Sequence, residues 1–210
     1  IRLSLVGSEM CIRDRMEKSY EIVQGSDRDY KFEHPLLADL LYQEMPKAMV
    51  KEYHLMIAEQ MGKIFKDDFG SFVGDVAEHY RKGQNYAKAI PLLYNAGVRS
   101  FDMAAYREAS LYYENLIQCM QIENFDDDAV IPKIELYFQL GICYEETGKW
   151  ELGIETYDKL SQLAINARNF SRYVNAIMRI GRIYDKLGNW SEAMQYYDRC
   201  LELADIYDID

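Results

Sequence analysis

Residues 141–157 read GICYEETGKWELGIETY, and residues 181–197 read GRIYDKLGNWSEAMQYY. Five residues, in the order glycine, tyrosine, glycine, tryptophan and tyrosine, therefore recur after 40 positions. Self-similarity at a fixed period of this length is typical of stacked helical hairpins. Each hairpin in such a stack contacts its neighbours, and the stack presents an extended concave surface to other proteins. The repeat therefore predicts a protein that binds partners, and it gives no indication of catalysis.

Apolar side chains on both sides of this motif are spaced three and four residues apart, as in amphipathic helices. From Ser71 onwards the pattern predicts helices near residues 72–82, 86–101, 105–121, 131–147, 150–167, 171–187 and 190–206. Gly148 and Gly188 follow the first helix of each repeat, where a residue with positive φ commonly ends a helix. Trp150 and Trp190 open the second helices. We expect both to pack between helices, with about 2–3 kcal/mol of stabilisation from each if fully buried.

Two weaker copies of the pattern come before the motif. The first consists of Val76, Ala77, Tyr80, Tyr86, Ala89 and Ala96, and the second of Gly97, Tyr106, Ala109, Tyr113 and Leu116. Tyr86 and Tyr106 are only 20 residues apart, which is too short for two separate hairpins. We therefore expect the two copies to share one helix.

Residues 19–33 differ from the rest because polar and apolar residues alternate there. The stretches 19–24 and 30–33 are predicted strands, and residues 25–29 have the composition of a turn. Helices are predicted to begin at Pro35 and to extend over residues 46–65.

The predicted organisation has three native parts. These are a β-hairpin in residues 16–34, linking helices in residues 35–70 and a helical array in residues 71–210, with its best repeats at 134–165 and 174–207. Leu201, Leu203 and Ile206 are still apolar near the end of the sequence. Because a terminal repeat normally has a polar outer face, we expect the array to be truncated at residue 210.

Residues 1–15 are a separate case, because they resemble the translation of a transposon adapter used in DNA sequencing. Residues 5–14 read LVGSEMCIRD, which follows the codons of that oligonucleotide. A natural amphipathic start is the alternative. Residues 1–15 are therefore left out of the fold prediction, and we expect the native reading frame to begin upstream of Met16.

The composition disfavours several classes of function. The chain has 24 basic and 35 acidic residues. Residues 1–15 hold three arginines and two acidic residues, so the other 195 residues carry 21 basic and 33 acidic side chains, net −12. A nucleic-acid-binding protein needs a basic surface to contact phosphates, and no run of eighteen apolar residues is present to span a membrane. Cys119, Cys143 and Cys200 form no C-x-x-C pair, so we expect buried reduced thiols and a cytoplasmic protein.

The sequence contains no G-x-x-x-x-G-K-[ST] phosphate loop and no H-E-x-x-H metal motif. His34, His54 and His79 lie far apart in sequence and have no cysteine near them, so we predict no metal, no cofactor and no catalytic residue. The three aspartates at 126–128 lack the glycine of a calcium loop, and their charge favours the N-terminus of the following helix instead. An enzyme that uses His34 or His79 is the least favoured alternative.

Residues 134–207 resemble the tetratricopeptide repeat family in the order of their aliphatic, glycine, tyrosine and tryptophan residues. The period exceeds the family's usual period of about 34 residues, which implies longer hairpins. The resemblance implies an all-α fold, a right-handed superhelical stack of helical hairpins, with the first helix of each hairpin on the concave face. By position, this face holds Glu135, Phe138, Gln139, Ile142, Glu145, Asn175, Met178, Arg179, Arg182 and Lys186.

The implied concave face is apolar and acidic in the first repeat and basic in the second. Chaperone adaptors of the carboxylate-clamp type resemble this fold, but they need lysine and asparagine where Phe138 and Ile142 stand. We expect instead a peptide or a helix of a partner protein in the groove, held by apolar contacts and a few charges. The alternative is that these side chains form only the solvated inner surface of the stack.

The N-terminal part has a second resemblance. Residues 30–37 read YKFEHPLL, and residues 53–59 read YHLMIAE. This pattern resembles the junction between a winged-helix subdomain and a tetratricopeptide array in signalling ATPases of the STAND class, with His34 and His54 matching its two histidines. The resemblance implies the sensor or scaffold arm of a multidomain signalling ATPase or transcriptional regulator. A stand-alone adaptor, with residues 16–70 as capping helices, is the alternative.

Overall fold

The computed structural model of the chain describes residues 23–26, 29–32, 35–64 and 69–208. The chain divides into two units, Ile1–Glu52 and Tyr53–Asp210. In the first unit, strand β1 (Val23–Ser26) pairs antiparallel with strand β2 (Asp29–Phe32), and Val23 lies opposite Phe32. Helix α1 (Pro35–Glu44) follows, and helix α2 (Lys47–Ile64) begins in this unit and continues into the second.

The strands agree with the predicted hairpin in part. Gly25, Ser26 and Asp29 were expected in the turn, but they belong to the paired strands. Residues 19–22 and the adapter-like residues 1–15 lie outside the described residues.

The described part of the second unit continues with seven further helices. They are α3 (Phe69–Lys82), α4 (Tyr86–Asp102), α5 (Tyr106–Glu123), α6 (Lys133–Glu146), α7 (Trp150–Asn166), α8 (Phe170–Lys186) and α9 (Trp190–Tyr207). Each helix packs on the next along the chain, and α6 also contacts α8. The predicted helix ends agree with these bounds within three residues. The prediction of an all-α stack of helical hairpins is therefore confirmed for residues 69–208.

Three hairpins are held together by the same contact between a glycine and a tyrosine. The pairs are Gly97 with Tyr113, Gly141 with Tyr157 and Gly181 with Tyr197. A Cβ atom on Gly181 would lie 2.9 Å from the ring of Tyr197, and a Cβ atom on Gly97 or Gly141 would collide with its tyrosine ring more severely. Glycine therefore lets the two helices approach closely. Helix α4 uses this contact with α5 and also packs on α3, which confirms the predicted sharing of one helix.

The helix ends also follow the prediction. Gly148 and Gly188 have φ of +74° and +77°, and the next amides donate to Tyr144 and Tyr184 at 2.9 Å. The turn between the two repeats has the same backbone conformation, but it places Arg168 at φ +55°. A residue with a Cβ is strained in this region of φ, and glycine is not.

The core side chains form clusters between successive helices. Tyr157, Leu160, Ile180 and Ile183 have no exposed surface, and Trp150 packs against the cluster that they form. Trp190 is 75% exposed, so the expectation that both tryptophans are buried between helices is wrong for Trp190. The reason is positional. Helix α8 packs on α7 beside Trp150, whereas no helix of the described residues follows α9.

The cysteines agree with the predicted thiols. Cys119 and Cys143 are free and buried, and Cys200 is free and half-buried. Burial raises the pKa of Cys119 to about 11 and that of Cys143 to about 12, so both remain protonated at neutral pH. Among the described residues, none of the helices combines the length and the apolar character that crossing a bilayer requires.

Candidate functional site

The ten residues predicted for the concave face lie on α6 and α8, the first helices of the two best repeats. Their spacing of three and four residues places them on one side of each helix. The structure brings Glu145 together with Arg179, Arg182 and Lys186, and Phe138 together with Arg179. The side chains of Ile142, Asn175 and Met178 make no hydrogen bond, ion pair or ring contact with the other predicted residues in the described part of the chain.

Glu145 is the centre of an ion-pair cluster between α6 and α8. Its side chain has no exposed surface. The carboxylate accepts from Arg179 Nη1 at 3.1 Å, Arg182 Nη2 at 2.7 Å and Lys186 Nζ at 2.9 Å. Tyr157 Oη donates to the same carboxylate at 3.2 Å. Because these contacts occupy the whole carboxylate, Glu145 is not available to a partner.

The electrostatics of Glu145 follow from this geometry. Burial alone would raise the pKa of Glu145, because it disfavours the charged form. Hydrogen bonds from Lys186 and Arg179 and the charge of Arg182 outweigh burial, and they hold the pKa below its ordinary value. The ionised carboxylate therefore contributes to the packing of α8 on α6.

Phe138 forms a second contact between the two helices. The guanidinium of Arg172 lies 4.0 Å from the centre of the Phe138 ring, and that of Arg179 lies 5.5 Å from it. Arg172 Nη2 also donates to Glu135 Oε2 at 2.6 Å. Such cation–π contacts contribute about 0.5–2 kcal/mol, depending on exposure. Phe138 therefore holds two cations of α8 in place.

Gln139 is engaged by its neighbours as well. Its Nε2 donates to Glu135 at 3.3 Å, and its Oε1 accepts from Tyr113 Oη at 2.5 Å. Sequence reasoning missed Arg172, although it lies seven residues before Arg179 and therefore on the same side of α8.

Two buried polar atoms of α8 are unpaired within the described part of the chain. Asn175 Oδ1 and Arg179 Nε are buried, and neither has a hydrogen-bond partner among the described residues. They lie one helical turn apart on α8, and Met178, 37% exposed, lies between them in sequence. An unsatisfied buried polar atom costs about 1–3 kcal/mol. A ligand that supplied a donor to Asn175 and an acceptor to Arg179 would remove this cost.

The face also has a surplus of positive charge. Four cations of α8 face the carboxylates of Glu135 and Glu145, and Glu146 lies 4.0 Å from one of them. The chain as a whole carries a net charge of −11. This local excess favours an acidic ligand over a basic one.

The structure also describes the contacts of other residues considered from sequence. His54 and His79 come together, with their Nδ1 atoms 2.7 Å apart, and burial lowers the pKa of both rings. Asp127 Oδ1 accepts from the amide of Ala129, and Asp128 Oδ1 accepts from the amide of Lys133 at the start of α6. The described residues contain no group of three or more side chains that could hold a metal ion. His34 lies outside them.

Comparisons with known proteins agree with this architecture. Residues 133–205 match the family model of the tetratricopeptide repeat. The crystal structure of the apo form of RapI shares the fold at a TM-score of 0.51 and 12% identity, with 82% of this chain and 62% of RapI covered. No curated protein matches the sequence.

Two further solved structures are similar at lower TM-scores. MamA is 19% identical over 75% of this chain and 80% of its own, with a TM-score of 0.43. The TPR-like repeats of a putative kinesin light chain from Podosopora anserina are 12% identical over 83% and 99%, with a TM-score of 0.43. The match to the family model shows that residues 133–205 are similar to tetratricopeptide repeats, and repeats of this kind form scaffolds for protein–protein interaction.

Proposed function

We propose that the predicted concave face on helices α6 and α8, called the α6–α8 face from here on, binds an acidic peptide or helix of a partner protein. The observation that carries this proposal is the pair of unpaired buried atoms, Asn175 Oδ1 and Arg179 Nε, within a row of cations. A backbone amide of the ligand would donate to Asn175, and a ligand carboxylate or carbonyl would accept from Arg179. Met178 and Ile142 would contact an apolar side chain of the ligand. The contact surface excludes Glu145, because its carboxylate is already occupied.

The experiment selects ligands from a random peptide library displayed on phage. We expect the selected peptides to combine acidic residues with an apolar residue. The variants Asn175→Ala and Met178→Ala should weaken their binding at least tenfold, because they remove the hydrogen-bonding and apolar contacts and leave the Glu145 cluster intact. Leu152→Ala, at an exposed position on α7, is the matched control and should bind as the wild type does.

Thermal unfolding of all three variants separates binding from folding. Each should melt within a few degrees of the wild type, since the replaced side chains are not fully buried. Selected peptides that are basic, or that bind the Asn175→Ala and Met178→Ala variants as tightly as the wild type, would contradict the proposed site.

We further propose that the chain is the sensor or scaffold arm of a multidomain signalling ATPase or transcriptional regulator in the cytoplasm. The resemblance of residues 16–70 to a winged-helix junction supports the role as an arm of such a protein. The free buried thiols Cys119 and Cys143 support a reducing compartment and hence the cytoplasm. Occupancy of the arm would bias a nucleotide-dependent switch in the same protein.

Determination of the DNA upstream of the codon for Met16 tests this wider proposal. A phosphate-binding loop encoded in the same reading frame supports the ATPase arm. A start codon near Met16 would contradict it and would favour the stand-alone adaptor.

A further inference from the structure

A small cavity lies between helices α3, α4 and α5, and its lining shares no residue with the α6–α8 face. Its volume is about 210 Å³, which is below the range of about 300–1,000 Å³ that is typical of sites for drug-sized ligands. The polar part of its lining consists of Arg99, Ser100, Glu108 and Tyr112. We name this space the α3–α5 cavity. Its size limits an occupant to a small molecule.

Two glycines of α3 make room for polar groups at the wall of the cavity. Gly70 and Gly74 lie about one helical turn apart. A Cβ atom on Gly70 would collide with the guanidinium of Arg99, and a Cβ atom on Gly74 would collide with the hydroxyl of Tyr112. The absence of a side chain at both positions therefore lets a cation of α4 and a phenol of α5 reach the backbone of α3.

Ser100 presents an unpaired hydroxyl to the cavity. This residue is only 4% exposed, and its Oγ has no hydrogen-bond partner within the described part of the chain. The buried serines Ser110 and Ser161 differ, because their hydroxyls donate to the carbonyl oxygens of Arg107 and Asp158 at 2.9 and 2.7 Å. A serine in a helix can satisfy its hydroxyl in this way. The hydroxyl of Ser100 is instead available to a ligand.

The charges at the cavity have opposite signs and are not paired with each other. Among the described residues, neither Arg99 nor Glu108 forms an ion pair. Tyr112 Oη donates to Glu108 Oε1 at 3.3 Å, and burial together with the charge of Glu108 raises the pKa of Tyr112 to about 12, so the phenol stays protonated at neutral pH. Glu108 would repel a purely anionic ligand, and Arg99 would repel a purely cationic one. A zwitterion complements both charges.

We propose that the α3–α5 cavity binds a free α-amino acid with an aliphatic side chain. The ligand carboxylate accepts from the guanidinium of Arg99 and the hydroxyl of Ser100, and the ligand ammonium donates to Glu108. The aliphatic side chain contacts Val73 and Ala96, which are 7% and 2% exposed. This site does not depend on the function proposed for the α6–α8 face.

Isothermal titration calorimetry with L-leucine tests the class of ligand. Two analogues of leucine each lack one charge, because 4-methylpentanoate has no ammonium group and 3-methylbutylamine has no carboxylate. We expect leucine to bind saturably at a ratio of 1:1 and each analogue to bind at least tenfold more weakly. Absence of saturable leucine binding, or equal binding of leucine and both analogues, would overturn the proposal.

Substitutions with matched controls test whether the cavity is the site. Ser100→Ala and Glu108→Gln should each weaken leucine binding at least tenfold. Ser110→Ala removes a buried hydroxyl that is bound within its own helix, and Glu151→Gln removes a carboxylate from the first turn of α7, as Glu108→Gln does from that of α5. Both control variants should bind leucine as the wild type does. Equal losses in a variant and its control would contradict the assigned site.

The two charged residues should each govern one half of the discrimination. In Arg99→Gln, leucine should bind at least tenfold more weakly while the binding of 3-methylbutylamine is not reduced. In Glu108→Gln, leucine should lose its advantage over 4-methylpentanoate. A general loss of structure would weaken all three compounds alike. Unchanged discrimination in both variants would therefore overturn the assigned roles.

Thermal unfolding with and without leucine gives a second readout of the same site. A ligand that binds only the folded state raises the Tm, so leucine should raise the Tm of the wild type and not that of Glu108→Gln. Asn175→Ala should show the same rise as the wild type, because Asn175 belongs to the α6–α8 face. A rise that persists in Glu108→Gln, or that is lost in Asn175→Ala, would place the ligand elsewhere and overturn the proposal.

Discussion

The hairpins α6–α7 and α8–α9 have nearly the same motif but different surroundings. Trp150 packs against a buried cluster, and Trp190 is 75% exposed. Glu145 has no exposed surface and binds three cations, whereas Asp185, at the matching position, is exposed. The comparison shows that the motif determines the hairpin, and that the next helix in the stack determines which of its side chains become core.

The largest expected effect concerns the two acidic positions. Glu145→Gln removes the charge that three cations of α8 share, and it should lower the free energy of unfolding by about 3 kcal/mol. Asp185→Asn is the matched substitution in the second repeat, and it should change that free energy by less than about 0.5 kcal/mol. Urea denaturation of both variants measures the difference. Equal losses in the free energy of unfolding for the two variants would contradict the proposed difference between the repeats.

The pH dependence of stability sharpens the same comparison. The pKa of Glu145 in the folded protein lies below 4.5, the ordinary value of a glutamate. Its contribution is therefore fully present above pH 4.5, and it is lost as the pH falls through the folded pKa. Wild type and Glu145→Gln should accordingly differ less in stability at low pH than at pH 7. Thermal unfolding across this range measures the convergence, and a constant difference would contradict the assigned ion pairs.

The next largest effect concerns the two glycines that contact a tyrosine ring, because substitution by alanine should destabilise the protein more at Gly141 than at Gly181. Gly141→Ala adds a methyl group against the ring of Tyr157, which has no exposed surface and cannot move aside. We expect a loss of about 2 kcal/mol, since overpacking outweighs the better helix propensity of alanine. Gly181→Ala meets the half-buried Tyr197, which can shift towards solvent, so a loss below about 1 kcal/mol is expected. Chemical denaturation tests the ranking, and the reverse order would refute it.

The smallest effect concerns the turn between the repeats. Arg168 has φ +55°, where the neighbouring turns have glycine, so Arg168→Gly should stabilise the protein by about 0.5 kcal/mol. Ala167→Gly is the matched control. Its φ is −83°, so it should instead destabilise the protein slightly. Differential scanning calorimetry of the pair detects the opposite signs, and a lower Tm for Arg168→Gly would contradict the role given to φ.

Most of the helical architecture could be predicted because it depends on local patterns. The spacing of apolar residues predicted the positions of the helices, and Gly148 and Gly188 predicted where two of them end. The pairing of Glu145 with Arg179, Arg182 and Lys186 could not be predicted, because it depends on the distance between α6 and α8. The exposure of Trp190 was missed for a related reason. Trp190 and Trp150 lie in the same sequence motif, and the motif does not indicate whether another helix packs on the tryptophan.

The candidate site was predicted at the level of helix faces and not at the level of contacts. Helical spacing placed Phe138 on the correct side of α6, but its contact with Arg172 involves residues 34 positions apart. The contact between His54 and His79 was missed in the same way, because it joins α2 to α3 across 25 positions. Long-range pairs of this kind require the register between helices, and a single sequence does not contain it.

Acrylamide quenching of the two single-tryptophan proteins tests the central claim, that the next helix and not the motif determines burial. Trp190→Phe leaves Trp150 as the reporter, and Trp150→Phe leaves Trp190. We expect the fluorescence of Trp190 to lie at longer wavelength and to be quenched at least twice as strongly as that of Trp150. Equal quenching of the two proteins, or stronger quenching of Trp150, would contradict the account.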